Sequence, residues 1–278
     1  MKCKAIPEGL SGKALFDFVI KNEALIKYAK KSEMKFSDTA TYQVLFVNDK
    51  GELVNKAATA AMVDMSRLKL SVVINTTNFF DSHGDVHIPG IWNKSVSDNK
   101  ATGFYLLKEH QCCFDDVIGD GMKAELKMMA FSELGFKLPG VTQALIFSGD
   151  IFQKRNPFMF DQYINKYVKQ HSVGMQYVKI VCCINDEDYP VQQENWNKYR
   201  PMVANGDAVD EEGMFWAVLE AVIREGSAVL FASNSVTPTI ETTQYEDTST
   251  TNEPPEGTQD EPDEKCYLNW LNKTTLIN

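Results

Sequence analysis

The chain has 278 residues, 44% hydrophobic and 24% charged, a globular balance with length for one large domain or two small ones. It contains no apolar run of about 18 residues, so no helix is expected to span a membrane, and Met1-Lys2-Cys3-Lys4-Ala5-Ile6-Pro7 lacks the apolar stretch of a signal peptide. Nine acids and no Lys or Arg lie between Glu241 and Glu264, so a net charge of −10 leaves the rest of the chain near −1, without the basic face that nucleic-acid binding requires.

Apolar residues at Leu15, Val19, Leu25, Ile26 and Ala29, with lysines on the other side, predict an amphipathic helix over 10–31 with Ser11 as N-cap. Residues 42–47 read as a strand that turns at Asn48-Asp49-Lys50-Gly51 into 52–54, a hairpin signal. Residues 68–74 form the next predicted strand, 78–85 a turn, and 91–96 a helical turn. The apolar strand 104–107 runs into Lys108-Glu109-His110, and 117–119 and 124–130 continue the strand pattern. Residues 141–151 fit either helix or strand, whereas Pro157 opens a helical stretch over 158–169.

Residues 172–183 are a predicted strand, 185–212 a polar irregular insertion, 215–223 helical or extended, and 224–231 a strand. From Thr242 the composition turns to Thr, Ser, Pro, Glu and Asp, too polar to fold alone, until Cys266-Tyr267-Leu268-Asn269-Trp270-Leu271 ends the chain like a short docking peptide on a tether. The expected organisation is α+β: an N-terminal helical segment (1–40), a domain over 41–241 and an acidic tail (242–278). Six cysteines, four of them in the adjacent pairs Cys112-Cys113 and Cys182-Cys183, are a poor layout for disulfides and read as reduced thiols used as small hydrophobes.

The stretch Gln170-His171-Ser172-Val173-Gly174 places a small hydroxyl nucleophile in a strand beside a glycine, which lets another backbone approach closely. Its base is not His171, because strand neighbours point to opposite faces. His110 is the better candidate, since it stands where an apolar strand ends and a scaffold can present a polar group. Glu225 enters an apolar strand on the same face as Ser227, and a carboxylate there needs a partner such as imidazole, or simply a surface cation. Cys112, two residues from His110, and a metal group of His83, Asp85 and His87 are weaker alternatives.

Four stretches in order resemble the tailed-phage prohead (capsid maturation) serine proteases, whose fold is related to the herpesvirus assemblin proteases. Residues Asp81-Ser82-His83-Gly84-Asp85-Val86-His87-Ile88-Pro89-Gly90-Ile91-Trp92 resemble the family's Gly-Asp…Pro-Gly entry, and Leu106-Leu107-Lys108-Glu109-His110 its Leu-Leu-x-x-His motif. His171-Ser172-Val173-Gly174-Met175 is similar to its Leu-Ser-Ile-Gly-Phe strand, and Arg224-Glu225-Gly226-Ser227-Ala228-Val229 with Ala232-Ser233-Asn234 to its ending. The resemblance covers roughly 68–240; Gln111 stands where the family has an acid, Ala232 and Ser235 where it often has prolines, and 185–212 lengthens one gap.

The resemblance implies a mainly antiparallel, barrel-like β core flanked by helices, with Ser172 as nucleophile, His110 as general base and Glu225 as the acid that orients the imidazole. Glu220 is the rival acid, and backbone N–H groups near Gly174 are candidate oxyanion donors. It further implies an endopeptidase without metal or cofactor, acting inside the assembling procapsid in the host cytoplasm. Its substrates would be scaffold, the major capsid protein and itself, with room for a homo-oligomer and no role for nucleic acid or membrane. The alternative is a scaffolding protein of virion assembly that keeps the fold without needing catalysis.

Overall fold

A computed structural model describes residues 5–7, 9–32 and 63–246. The single helix expected over 10–31 is two, α1 (Gly12–Lys21) and α2 (Glu23–Ser32), because Asn22 breaks the run and donates its side-chain amide to Phe18 O. Ser11 holds the N-cap position without a side-chain capping bond. The hairpin expected at 42–54 and the terminal peptide at 266–271 lie outside the described residues.

Among the described residues eight strands follow: β1 (Val63–Thr76), β2 (Asp85–His87), β3 (Phe104–Lys108), β4 (Val117–Ala130), β5 (Val141–Phe152), β6 (Gln170–Ile184), β7 (Met214–Val229) and β8 (Thr239–Glu246). Short helices α3 (Asn93–Asp98) and α4 (Pro157–Ile164) connect them, α4 opened by Pro157 and capped by the Asn156 side chain on Met159 N. The stretch 141–151 resolves as strand, because it is held on both edges, by β1 and by β4. The segment expected to be irregular at 185–212 contains α5 (Pro190–Tyr199) and α6 (Gly206–Glu212). Its few apolar residues, Trp196, Tyr199, Val203 and Val209, bury themselves with Cys183, Phe215 and Ala217 in a small separate core. Strand β8 runs through Glu246 along β1, past the expected start of the tail at 242, because ladder pairing stabilises polar threonines that could not fold alone.

The sheet runs β2-β7-β3-β4-β5-β1-β8, with β6 paired to β7. The expected barrel-like closure is not found among the described residues: the sheet stays open. The core is mainly antiparallel as expected, with two parallel pairings that make the sheet mixed. The reason lies in β7, whose 16 residues need partners on both edges. Antiparallel β6 lines one edge along the full length of β7. On the other edge, β2 pairs at Trp216–Val218 and β3 at Gly226–Ala228, both parallel, since α3 carries the chain across between them. The main core, including Leu70, Ile74, Phe147, Met175 and Trp216, packs between this sheet and the helices.

Lys30 on α2 is fully buried and ion-pairs with Asp85 on β2, its ammonium 5.7 Å from the Trp216 ring centroid. Tyr177 donates its hydroxyl to the other Asp85 oxygen at 2.7 Å. The N-terminal helical pair is therefore tied to the sheet by a desolvated charge. Among the described residues no helix is long and apolar enough to cross a membrane.

Candidate active site

Because β6 and β7 are antiparallel, residues directly opposite each other project to the same face. Ser172 stands opposite Ser227 and Gly174 opposite Glu225, so the four share one face of the two-stranded ribbon. Beyond Gly174 the register jumps to Met175↔Ile223, which leaves Arg224 as an extra residue in β7. Such a bulge turns the strand locally and aims the neighbouring side chain, here Glu225.

His110 reaches the same face from the opposite edge. Strand β3 pairs with β7 up to Lys108↔Ala228, and Glu109 N–H still donates to Ala228 O at 2.9 Å. The chain then turns back through two consecutive left-handed residues, Glu109 (φ 51°) and His110 (φ 58°). Neither is glycine, and each such residue costs about 1–2 kcal/mol. The turn is held by Gln111 N–H to Lys108 O at 2.9 Å and by the His110 amide on the Ser227 hydroxyl oxygen at 3.1 Å. Backbone strain of this kind concentrates at functional sites, where surrounding structure over-determines it.

The outcome is a buried chain of contacts. His110 Nδ1 lies 2.6 Å from Glu225 Oε1, and the Ser227 hydroxyl donates to Glu225 Oε2 at 2.6 Å. Exposure is 7% for Ser172, 7% for His110 and 4% for Glu225. A carboxylate this buried is costly unless each oxygen has a donor, and here each does. With Nδ1–H donated to Glu225, Nε2 is the nitrogen left for proton exchange.

Hydrogen bonds thus join His110, Glu225 and Ser227, and Ser172 shares their face through its register opposite Ser227. Glu220, the rival acid, pairs across to Lys179 five residues upstream, and the carboxylate at His110 is that of Glu225. Glu225 sits well inside β7 rather than at the start of a strand.

Gly174 needs a different explanation from the one its sequence suggested. A Cβ there would stand 1.8 Å from Glu225 Oε1 and 2.7 Å from its Cδ. What approaches closely is the carboxylate of Glu225, not another backbone. Sequence reasoning also passed over the Ser227 hydroxyl; its i+2 spacing from Glu225 was visible, but its bond to the His110 amide depends on the turn.

The remaining histidines lie elsewhere. His171 is fully buried on the opposite face, its Nδ1–H donated to Thr237 O at 3.1 Å and its Nε2 accepting the Tyr163 hydroxyl at 3.0 Å. Burial lowers its pKa to about 4, so it is a neutral structural residue. His87 stacks edge-on to Trp92 and Tyr177. The ligand atoms of Asp81, His83 and Asp85 lie within 4.8 Å of one another, a different trio from the weaker alternative of His83, Asp85 and His87, and the cation at Asp85 is the ammonium of Lys30.

Cys112 and Cys113 are exposed free thiols, contrary to a role as small hydrophobes. Cys182 and Cys183 do serve that role, and burial pushes the Cys183 thiol up to about 12. Cys112 Sγ points at His110 O, 3.9 Å away, rather than at the imidazole. No family model, curated protein or solved structure matches the chain.

Proposed function

We propose that the chain is a serine endopeptidase of the prohead type, in which Ser172, His110 and Glu225 act as nucleophile, base and orienting acid. The observation that carries the reading is the buried His110–Glu225 hydrogen bond of 2.6 Å, delivered by a strained turn to the face that holds Ser172. An exposed or purely structural histidine has no need of two left-handed residues and a desolvated carboxylate.

In this mechanism Ser172 Oγ attacks the peptide carbonyl carbon while His110 Nε2 takes the hydroxyl proton. Glu225 fixes the Nδ1–H tautomer and stabilises the imidazolium that forms. The imidazolium returns the proton to the leaving amine, giving an acyl-enzyme on Ser172. Water, activated by the same imidazole, then releases the acid and restores the hydroxyl. Residues of this chain suffice for each proton transfer, so the reading calls for no metal or cofactor.

The substrates in this reading are the scaffold and major capsid protein of an assembling procapsid, together with the chain itself. The fold relation to the herpesvirus proteases belongs to the same proposal. Co-expression with the cognate capsid and scaffold proteins tests it. Wild type yields truncated capsid and scaffold bands, and Ser172→Ala leaves them full length. Identical uncut patterns in both would overturn the enzymatic reading in favour of a scaffolding role.

A further inference from the structure

Ser227 contributes one hydroxyl to two bonds that no other group in the site makes. It is fully buried, between Ser172 on β6 and Leu107 on β3, and so occupies the middle of the three strands that build the site. As a donor it reaches Glu225 Oε2 at 2.6 Å; as an acceptor it takes the amide N–H of His110 at 3.1 Å. A hydroxyl carries one donor and two acceptor lone pairs, so both roles are met at once.

The two bonds constrain different parts of the same constellation. The first prevents the carboxylate from rotating about its terminal torsion, which keeps Oε1 on His110 Nδ1. The second closes the left-handed turn at Glu109–His110, the conformation that brings the imidazole over β7. Neighbouring groups cannot substitute: the Glu109 amide is already on Ala228 O, and the Gln111 amide is on Lys108 O. Because its hydroxyl proton is committed to the carboxylate, Ser227 is also poorly suited to compete with Ser172 as a nucleophile.

We infer that Ser227 is a positioning residue, whose single hydroxyl locks both the orienting carboxylate of Glu225 and the strained backbone of His110. The inference rests on the proposed catalytic roles of His110 and Glu225, but its geometry can be measured without turnover.

Two readouts on the full chain test it. The first is the low-field proton NMR resonance of the Nδ1–H that bridges His110 and Glu225, identified by its loss in Glu225→Gln. The second is the rate at which a fluorophosphonate probe labels Ser172. In Ser227→Ala the resonance should shift or broaden, and labelling should slow roughly 10- to 100-fold, the scale of losing a hydrogen bond to a charged group. Thermal melting of the same samples, with an unshifted amide spectrum for β1 and β5, establishes that the variant is folded. An unchanged resonance and an unchanged labelling rate in folded Ser227→Ala would overturn the inference. If wild type is not labelled at all, the catalytic reading fails, while the resonance in wild type and Ser227→Ala still decides whether Ser227 holds the pair.

Discussion

Gly174→Ala adds one methyl group at the point where the site has no room for it. The backbone there is not in the left-handed region, so alanine fits the strand and the effect must come from the side chain. The new Cβ would lie 1.8 Å from Glu225 Oε1, 2.7 Å from Cδ and 3.1 Å from Cγ. Ordinary contact begins near 3.4 Å, so Oε1 must retreat by about 1.6 Å. That carboxylate is not a free end, since His110 Nδ1 and the Ser227 hydroxyl each hold it at 2.6 Å. A movement of this size breaks the bond to the imidazole.

Loss of an orienting acid in serine hydrolases costs on the order of 10⁴-fold in kcat, and that is the loss expected for Gly174→Ala. Stability should fall by only about 1–3 kcal/mol, the usual cost of overpacking, partly offset by the reduced freedom of the unfolded chain. The assay is fluorophosphonate labelling beside thermal melting, carried out as a double-mutant cycle with Glu225→Ala. In the Glu225→Ala background the added methyl meets no carboxylate and should cost little further activity. Wild-type labelling by Gly174→Ala, or a full additional loss in the Glu225→Ala background, would refute the steric argument.

The buried Lys30–Asp85 pair makes a separate prediction: Lys30→Met should destabilise the fold by about 3–5 kcal/mol in thermal or urea melts, because it strands a desolvated carboxylate. Lys30→Met combined with Asp85→Asn should recover much of that loss, and equal damage by both variants would contradict the charge argument. Tyr163→Phe removes the donor to His171 Nε2 and should cost about 1–3 kcal/mol in melts while leaving Ser172 labelling within twofold. The pH dependence of stability should show two opposed contributions. His171, lowered to about 4 by burial, stays neutral in the fold while the unfolded chain takes up its proton below about 6.5, so this contribution is lost as pH falls from 6.5 to 4. Asp81, raised to about 6 by burial and then by Asp85, keeps its proton in the fold, so its contribution is lost as pH rises from about 4 to 6. Asp81→Asn should therefore stabilise the protein above pH 6 and leave a profile that declines steadily with acid; an unchanged profile in urea titrations would count against the Asp81 assignment.

Strand positions were legible at 68–74, where apolar residues mostly alternate as the pleat requires, and at 104–107, a short continuous apolar run. The same rule separated His171 from Ser172, and the buried Tyr163–His171–Thr237 contacts give the physical counterpart. Two things lay beyond local pattern. One was long-range pairing: 141–151 could be settled only by its partners β1 and β4, and the threonines of β8 only by β1. The other was the burial of polar groups, since a lysine in an amphipathic helix reads as solvent-facing until Asp85 and Tyr177 are placed opposite it.

The candidate site followed the same division. His110, Ser172 and Glu225 could be singled out as candidates from strand ends and buried polar positions, but only the three together, with the family resemblance, suggested a common role. The role of Gly174 was not, because it depends on a bulge at Arg224 that swings Glu225 over it. The turn at Glu109–His110 was hidden as well: a glutamate does not advertise a left-handed backbone, which forms because the Ser227 hydroxyl and the Lys108 and Ala228 carbonyls supply its hydrogen bonds.

The central claim is that Ser172, His110 and Glu225 work as one unit, and the site of covalent modification by a fluorophosphonate tests it most directly. Mass spectrometry of the labelled full-length chain should find a single adduct on Ser172, absent from His110→Ala and formed at least about 10³-fold more slowly in Glu225→Gln. An adduct on Ser227, or labelling of Ser172 that is indifferent to His110 and Glu225, would contradict the account.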